Sequence, residues 1–119
     1  MRSSQDRAID YIEFPCTDTN RVKAFYTAVF GWTFVDYGPD YTSFEDGRTA
    51  GGFTKAAKVA GPSGPLVVFY ARDLAAAEAR VEAAGGTIVQ PTFSFPGGRR
   101  FHFADPEGNI LAIWSKSEA

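Results

Sequence analysis

Tyr11-Ile-Glu-Phe-Pro-Cys-Thr-Asp18 and Leu66-Val-Val-Phe-Tyr-Ala-Arg-Asp73 read alike, and their likeness decides the fold. Tyr11 aligns with Leu66, Phe14 with Phe69 and Asp18 with Asp73, all at an offset of 55 residues, and Gly31 keeps the same register with Gly86. A repeat of this kind fixes an architecture before any single motif does. Each segment is rich in β-branched and aromatic residues and reads as a strand. Asp18 and Asp73 then stand where a carboxylate caps the free amides of a helix. The first helix, about Thr19 to Phe30, lines up Val22, Phe25, Tyr26 and Val29 on one face; the second, about Leu74 to Ala84, lines up Leu74, Ala77, Val81 and Ala84. Gly31 and the Gly85-Gly86 pair end them.

Three shorter strands are expected after each helix. In the first unit they are Trp32 to Tyr37, Tyr41 to Glu45 and Thr49 to Thr54; in the second, Thr87 to Gln90, Arg99 to Ala104 and Ile110 to Ser115. Asp46-Gly47 and Pro106-Glu107-Gly108-Asn109 carry turn chemistry for antiparallel neighbours. The predicted fold is therefore α+β: two βαβββ units, about 8–54 and 65–115, joined by a linker at 55–64. Each half is small for a core of its own, so both are expected to form one domain over 1–119. Its curved, mostly antiparallel sheet would surround a cavity, with helices outside.

Composition narrows the function. The 119 residues carry 12 Lys and Arg against 14 Asp and Glu, with no basic run beyond Arg99-Arg100, so the stripe that a nucleic-acid partner requires is missing. One cysteine, Cys16, excludes an internal disulfide and offers no soft metal cluster. Met1 to Asp10 has no apolar core for a signal peptide, and no apolar run reaches membrane-spanning length; a cytoplasmic protein is expected. Aromatics at 15% suffice for a core and a cavity wall together.

With these elements in place, the sequence resembles the vicinal oxygen chelate superfamily, which unites glyoxalases, bleomycin-resistance proteins and extradiol dioxygenases. The resemblance runs from about Ile9 to Trp114. It is carried by Ala24-Phe25-Tyr26 and Val29-Phe30-Gly31-Trp32, by the Val68 to Gly86 unit, and by Phe103-Ala104-Asp105-Pro106-Glu107-Gly108-Asn109. The Phe-Gly-Trp and Asp-Pro-Glu-Gly-Asn signatures are most similar to the small glyoxalase-like branch.

The resemblance implies metal ligands at matching strand positions of the two units, and here this sequence departs from the family. Tyr11 stands where a His or Gln is usual, Leu66 where a His is usual, and Ala112 where the closing strand normally supplies a Glu. The remaining position falls within Thr49-Ala50-Gly51-Gly52-Phe53, which holds neither carboxylate nor imidazole. Phenol, isobutyl and methyl groups are poor substitutes for the nitrogen and carboxylate donors of a catalytic metal. His102 is the only histidine, so a two-histidine site is excluded. No metal and no other cofactor is expected.

Strand alternation gives a lining for the expected cavity. If Tyr11 faces it, so do Ile9 and Glu13; Leu66, Val68 and Tyr70 face it from the second unit, and Ile110, Ala112 and Trp114 from the last strand. That wall suits an organic ligand. Glu13 and His102 are the candidate proton-transfer groups, although the register of His102 is open, and Arg99 with Arg100 could hold a carboxylate. The loops with Tyr37, Tyr41 and Phe93-Ser94-Phe95 are candidates for closing the pocket or forming an interface. Three functions remain: metal-independent binding of a small hydrophobic molecule, a metal-independent lyase or isomerase using Glu13 or His102, or a non-catalytic structural or regulatory dimer. A homodimer is expected in each.

Overall fold

The computed structural model describes residues 6–56 and 64–116, so most of the expected linker lies outside the described residues. The chain divides into two compact units, Met1–Val59 and Ala60–Ala119. The first runs β1 (Tyr11–Cys16), α1 (Thr19–Phe30), β2 (Thr33–Asp36), β3 (Tyr41–Glu45) and β4 (Ala50–Lys55). The second repeats it as β5 (Val67–Tyr70), α2 (Leu74–Ala83), β6 (Thr87–Phe95), β7 (Gly98–Ala104) and β8 (Ile110–Lys116). Each unit forms a four-stranded sheet, β1-β4-β3-β2 and β5-β8-β7-β6. In both, the first strand pairs parallel with the last and the other neighbours are antiparallel. The repeat read from the sequence is thus a repeat of connectivity.

Helix ends follow the side-chain chemistry. The Asp18 carboxylate accepts from the amides of Asn20 at 2.9 Å and Arg21 at 3.3 Å, and Asp73 accepts from Ala76 at 3.1 Å. Gly31 ends α1 at φ 73°, a left-handed backbone that costs glycine little, and its amide donates to the Thr27 carbonyl.

Alternation in the strands then decides what is buried. In the first unit Phe14, Phe44 and Phe53 lie on the helix side, where Tyr26 of α1 sits 5.0 Å from the Phe53 ring centroid and 5.0 Å from that of Trp32. Trp32 stacks on Phe44 at 4.1 Å and 7°, so the Phe-Gly-Trp signature turns the chain out of α1 and drops an indole into the core. Gly51 lies under the Phe44 ring; a Cβ there would collide with that ring and with the Ile12 carbonyl. In the second unit α2 packs over β6, β7 and β8, and Phe101, Phe103, Leu111 and Ile113 are buried with Leu74, Ala77 and Val81.

The Asp-Pro-Glu-Gly-Asn signature is a structural turn. Asp105 is buried and its carboxylate accepts from the amides of Glu107 and Asn109, both at 2.9 Å, and from the Asn109 side chain at 3.1 Å. Asp46 does the same work in the first unit, accepting from the amides of Arg48 and Thr49.

Three expectations are corrected. Phe93-Ser94-Phe95 is the end of β6 and not a loop, because β6 is an edge strand whose irregularities absorb Pro91. Register shifts fall between Ile88 and Gln90 and between Gln90 and Phe93; a proline is tolerated at an edge bulge, where no ladder amide is needed. Leu66 lies just outside β5, and Trp32 just outside β2.

Replacing the first helix cap tests this local reading. Asp18→Ala should lower stability by about 1 kcal/mol, seen as a lower urea midpoint with an unchanged slope. An unchanged midpoint contradicts the capping role.

Candidate functional site

The helix-covered face of each sheet is spent on the core, so functional groups must stand on the opposite face. Residues directly paired across strands share a face. On the first unit's open face Glu13 pairs with Gly52 and Gly52 with Ser43, while Tyr11 pairs with Ala50 and Tyr41 with Thr54. Tyr11 and Tyr41 lean toward each other over Gly52, and their hydroxyls meet at 2.5 Å. A Cβ on Gly52 would strike both hydroxyl groups, so glycine is what permits the contact. Burial, then hydrogen bonds with Tyr11 and Glu13, raise the pKa of the Tyr41 phenol well above its usual range. The arrangement is a neutral phenol joining a second phenol to a carboxylate. Tyr11 and Glu13 are exposed.

On the second unit's open face, Val68, Ala112, His102 and Gln90 form one row across the sheet, and Tyr70, Trp114, Arg100 and Phe93 the next. The Tyr70 and Trp114 rings meet edge to face at 5.2 Å, and Phe95 lies 6.2 Å from Trp114. The Arg100 guanidinium stands 5.4 Å from the Phe93 ring centre and 5.6 Å from that of Phe95. His102 lies 5.8 Å from the Phe93 ring. Its Nε2 and the Nε of Arg100 are buried with no hydrogen-bond partner among the described residues. Burial first, and then the Arg100 charge, hold the imidazole below its ordinary pKa, so it is neutral at pH 7.

The register answers what alternation alone left open. His102 shares its face with Ala112 and Val68, as Arg100 does with Trp114 and Tyr70. Arg99 instead pairs with the buried Ser115 on the helix side, so the two arginines point to opposite faces and cannot grip one carboxylate together. Tyr11 and Glu13 are brought together in the first unit; Val68, Tyr70, Ile110, Ala112, Trp114 and His102 share a face in the second, with Leu66 exposed just before β5. Sequence reasoning gave Tyr41 as the start of a strand and as a candidate for closing the pocket or forming an interface, and did not bring it to Tyr11 and Glu13. The paired glycines of β4 were the available signal, since a bare backbone leaves room for a neighbouring ring.

The topology also locates the fourth position at which the resemblance implies a metal ligand. Gly52 stands across from Glu13 as Ala112 stands across from Val68. The corresponding set is Tyr11, Gly52, Leu66 and Ala112: one neutral phenol and three groups without a donor atom. These residues do not fit a divalent metal.

The chain matches the Glyoxalase/Bleomycin resistance protein/Dioxygenase superfamily over residues 8–113, and it belongs to that family. It is 34% identical over 112 aligned residues to anthracycline biosynthesis protein DauV of Streptomyces sp. (strain C5), and equally so to anthracycline biosynthesis protein DnrV of Streptomyces peucetius. In each case 77% of this chain is covered and 41% of the relative, so the chain spans less than half the length of these proteins. Its fold is shared with a glyoxalase/bleomycin resistance protein/dioxygenase family enzyme from Burkholderia phytofirmans PsJN. The TM-score is 0.80 at 19% identity, covering 91% of this chain and 98% of that one. Among the described residues no helix is long and apolar enough to cross a membrane.

Two titrations test the electrostatics. An alkaline ultraviolet titration should show one tyrosine ionising well above the usual value of about 10, and Tyr41→Phe should remove that late component; a wild-type curve without it contradicts the environment described for Tyr41. The single imidazole, followed by NMR, should titrate below about 6.5 and move upward in Arg100→Gln. A midpoint at or above the ordinary value contradicts the environment described for His102.

Proposed function

We propose that this protein binds a small, largely hydrophobic organic molecule without the help of a metal ion. The observation that carries the reading is the open face of the second sheet. Val68 at 40% and Tyr70 at 50% exposure stand there beside Trp114, Phe93 and Phe95. Leaving such area in water forgoes about 25 cal/mol per Å², which a ligand with an apolar face would recover. Flat rings are suited to it, because aromatic side chains favour offset or edge-to-face contact with another ring. The relatives named for anthracycline biosynthesis make a polycyclic aromatic compound the first class to test. Metal independence is supported by the donor set at Tyr11, Gly52, Leu66 and Ala112. Among the described residues no three His, Cys, Asp or Glu side chains are grouped to hold an ion. The homodimer implied by the family resemblance forms part of this proposal.

A second reading draws on the Tyr11–Tyr41–Glu13 arrangement. A carboxylate joined to two phenols can accept a proton while a hydroxyl steadies a developing enolate oxygen, as a lyase or isomerase requires. Under this reading, deuterium from heavy water should enter an enolisable ketone such as 2-tetralone, and Glu13→Gln should slow it about a hundredfold. Exchange no faster than in buffer, or equally fast in Glu13→Gln, excludes it.

The binding reading is tested with anthraquinone-2-carboxamide, a neutral tricyclic probe, monitored by quenching of tryptophan fluorescence. Saturable quenching is expected, unchanged by a chelator, with Trp114→Ala weakening the affinity about tenfold. Absence of saturable binding contradicts the proposal, and so does binding abolished by the chelator and restored by a divalent metal.

A further inference from the structure

The open face of the second unit holds a cation with no carboxylate among its neighbours on the sheet. None of β5, β6, β7 or β8 contains an Asp or Glu. Of the described acidic residues in this unit, Asp73 caps α2, Glu78 and Glu82 lie along that helix, and Asp105 is committed to its own turn with Glu107 and Asn109. Arg100 is nonetheless drawn onto the sheet, its guanidinium beside Phe93 and Phe95 and its Nε buried without a hydrogen-bond partner among the described residues. Arginine keeps its charge at any accessible pH and presents its donors in a planar fork. A guanidinium with no carboxylate beside it on the sheet favours a ligand that brings the counter-charge. His102, two residues along on the same face, adds a second buried nitrogen, Nε2, also without a partner among the described residues. Directly across the strand pair from Arg100 stands Trp114, the largest flat surface on this face.

Together these groups describe a ligand with two parts. We infer that Arg100 determines specificity by selecting aromatic ligands that carry an acidic oxygen, a carboxylate or a phenolate, with the ring system against Trp114 and Tyr70 and the oxygen toward Arg100 and His102. The inference rests on the hydrophobic-ligand reading and narrows it. A ring alone would use Trp114 and leave the Arg100 charge without a counter-charge. An inorganic anion would meet that charge and gain nothing from the aromatic surface. The aromatic acid is the class that uses both. Charge-assisted hydrogen bonds are roughly twice as strong as neutral ones, so the acidic oxygen, and not the ring, should set the preference among otherwise equal ligands.

The experiment compares anthraquinone-2-carboxylate with anthraquinone-2-carboxamide, which share the ring system and differ in charge, on the full chain at neutral pH with chelator present. Wild type should bind the acid about tenfold more tightly than the amide, a difference of about 1.4 kcal/mol. Arg100→Gln should bring the ratio to about one, and Arg100→Lys, which keeps the charge but not the fork, should retain part of the preference. Equal affinities in wild type overturn the inference while leaving the hydrophobic-ligand reading standing. A preference that persists undiminished in Arg100→Gln overturns it as well. Failure of both probes to bind overturns the inference and the underlying reading together. Circular dichroism confirms that each variant is folded; should Arg100→Gln not fold, the wild-type ratio and Arg100→Lys decide the matter.

Discussion

Each four-stranded sheet has a single helix to cover it, and one helix hides one face. Everything else follows from that constraint. The residues that fill the covered faces, Phe14, Phe44 and Phe53 under α1 and Phe101, Phe103, Leu111 and Ile113 under α2, fix the register of every strand that carries them. A slip of one residue would exchange the two faces of a strand and place these side chains in water. Once the register is fixed, the residues between them have no choice. Glu13 and Tyr11, His102 and Arg100, and Trp114 and Tyr70 stand on the open faces because their neighbours in sequence are needed in the cores.

That logic explains what was legible beforehand. The repeat at an offset of 55 gave the connectivity, and alternation along Tyr11 to Phe14 and Ile110 to Trp114 gave the correct faces, since both stretches are regular strands. The same rule was silent on β7, because Arg99-Arg100-Phe101-His102-Phe103 offers two arginines in succession and only pairing with β8 shows which belongs outside. It also failed on β6. The shifts around Gln90 place Ile88 beside Phe103 on the helix side and Gln90 beside His102 on the open one, although the two are two positions apart and regular alternation would put them on one face. Local sequence carries no marker of such a bulge beyond Pro91, so Phe93 and Phe95 read as loop. Tyr41 escaped for another reason: its place depends on Gly52, a partner on a different strand.

The departures from the family fall at equivalent positions of the two units. Where the family resemblance implies metal ligands, the two closing strands carry Gly52 and Ala112, the two smallest side chains available. Around Gly52 the space goes to the Tyr11 and Tyr41 hydroxyls. Ala112 lies in a row with His102 and beside Trp114's row, on the face that Arg100 shares. On the reading proposed above, an apolar surface with directed donors has replaced an ion as the means of holding a ligand. An imidazole and a guanidinium can orient an oxygen without coordinating it.

A crystal structure of the protein with anthraquinone-2-carboxylate bound tests this account most directly. The account predicts density for the ring system against Trp114 and Tyr70, its carboxylate within hydrogen-bond distance of Arg100, and no metal between ligand and protein. Density for the ligand away from the open face of the β5-β8-β7-β6 sheet, or a metal ion bridging it to Tyr11 and Glu13, would contradict it.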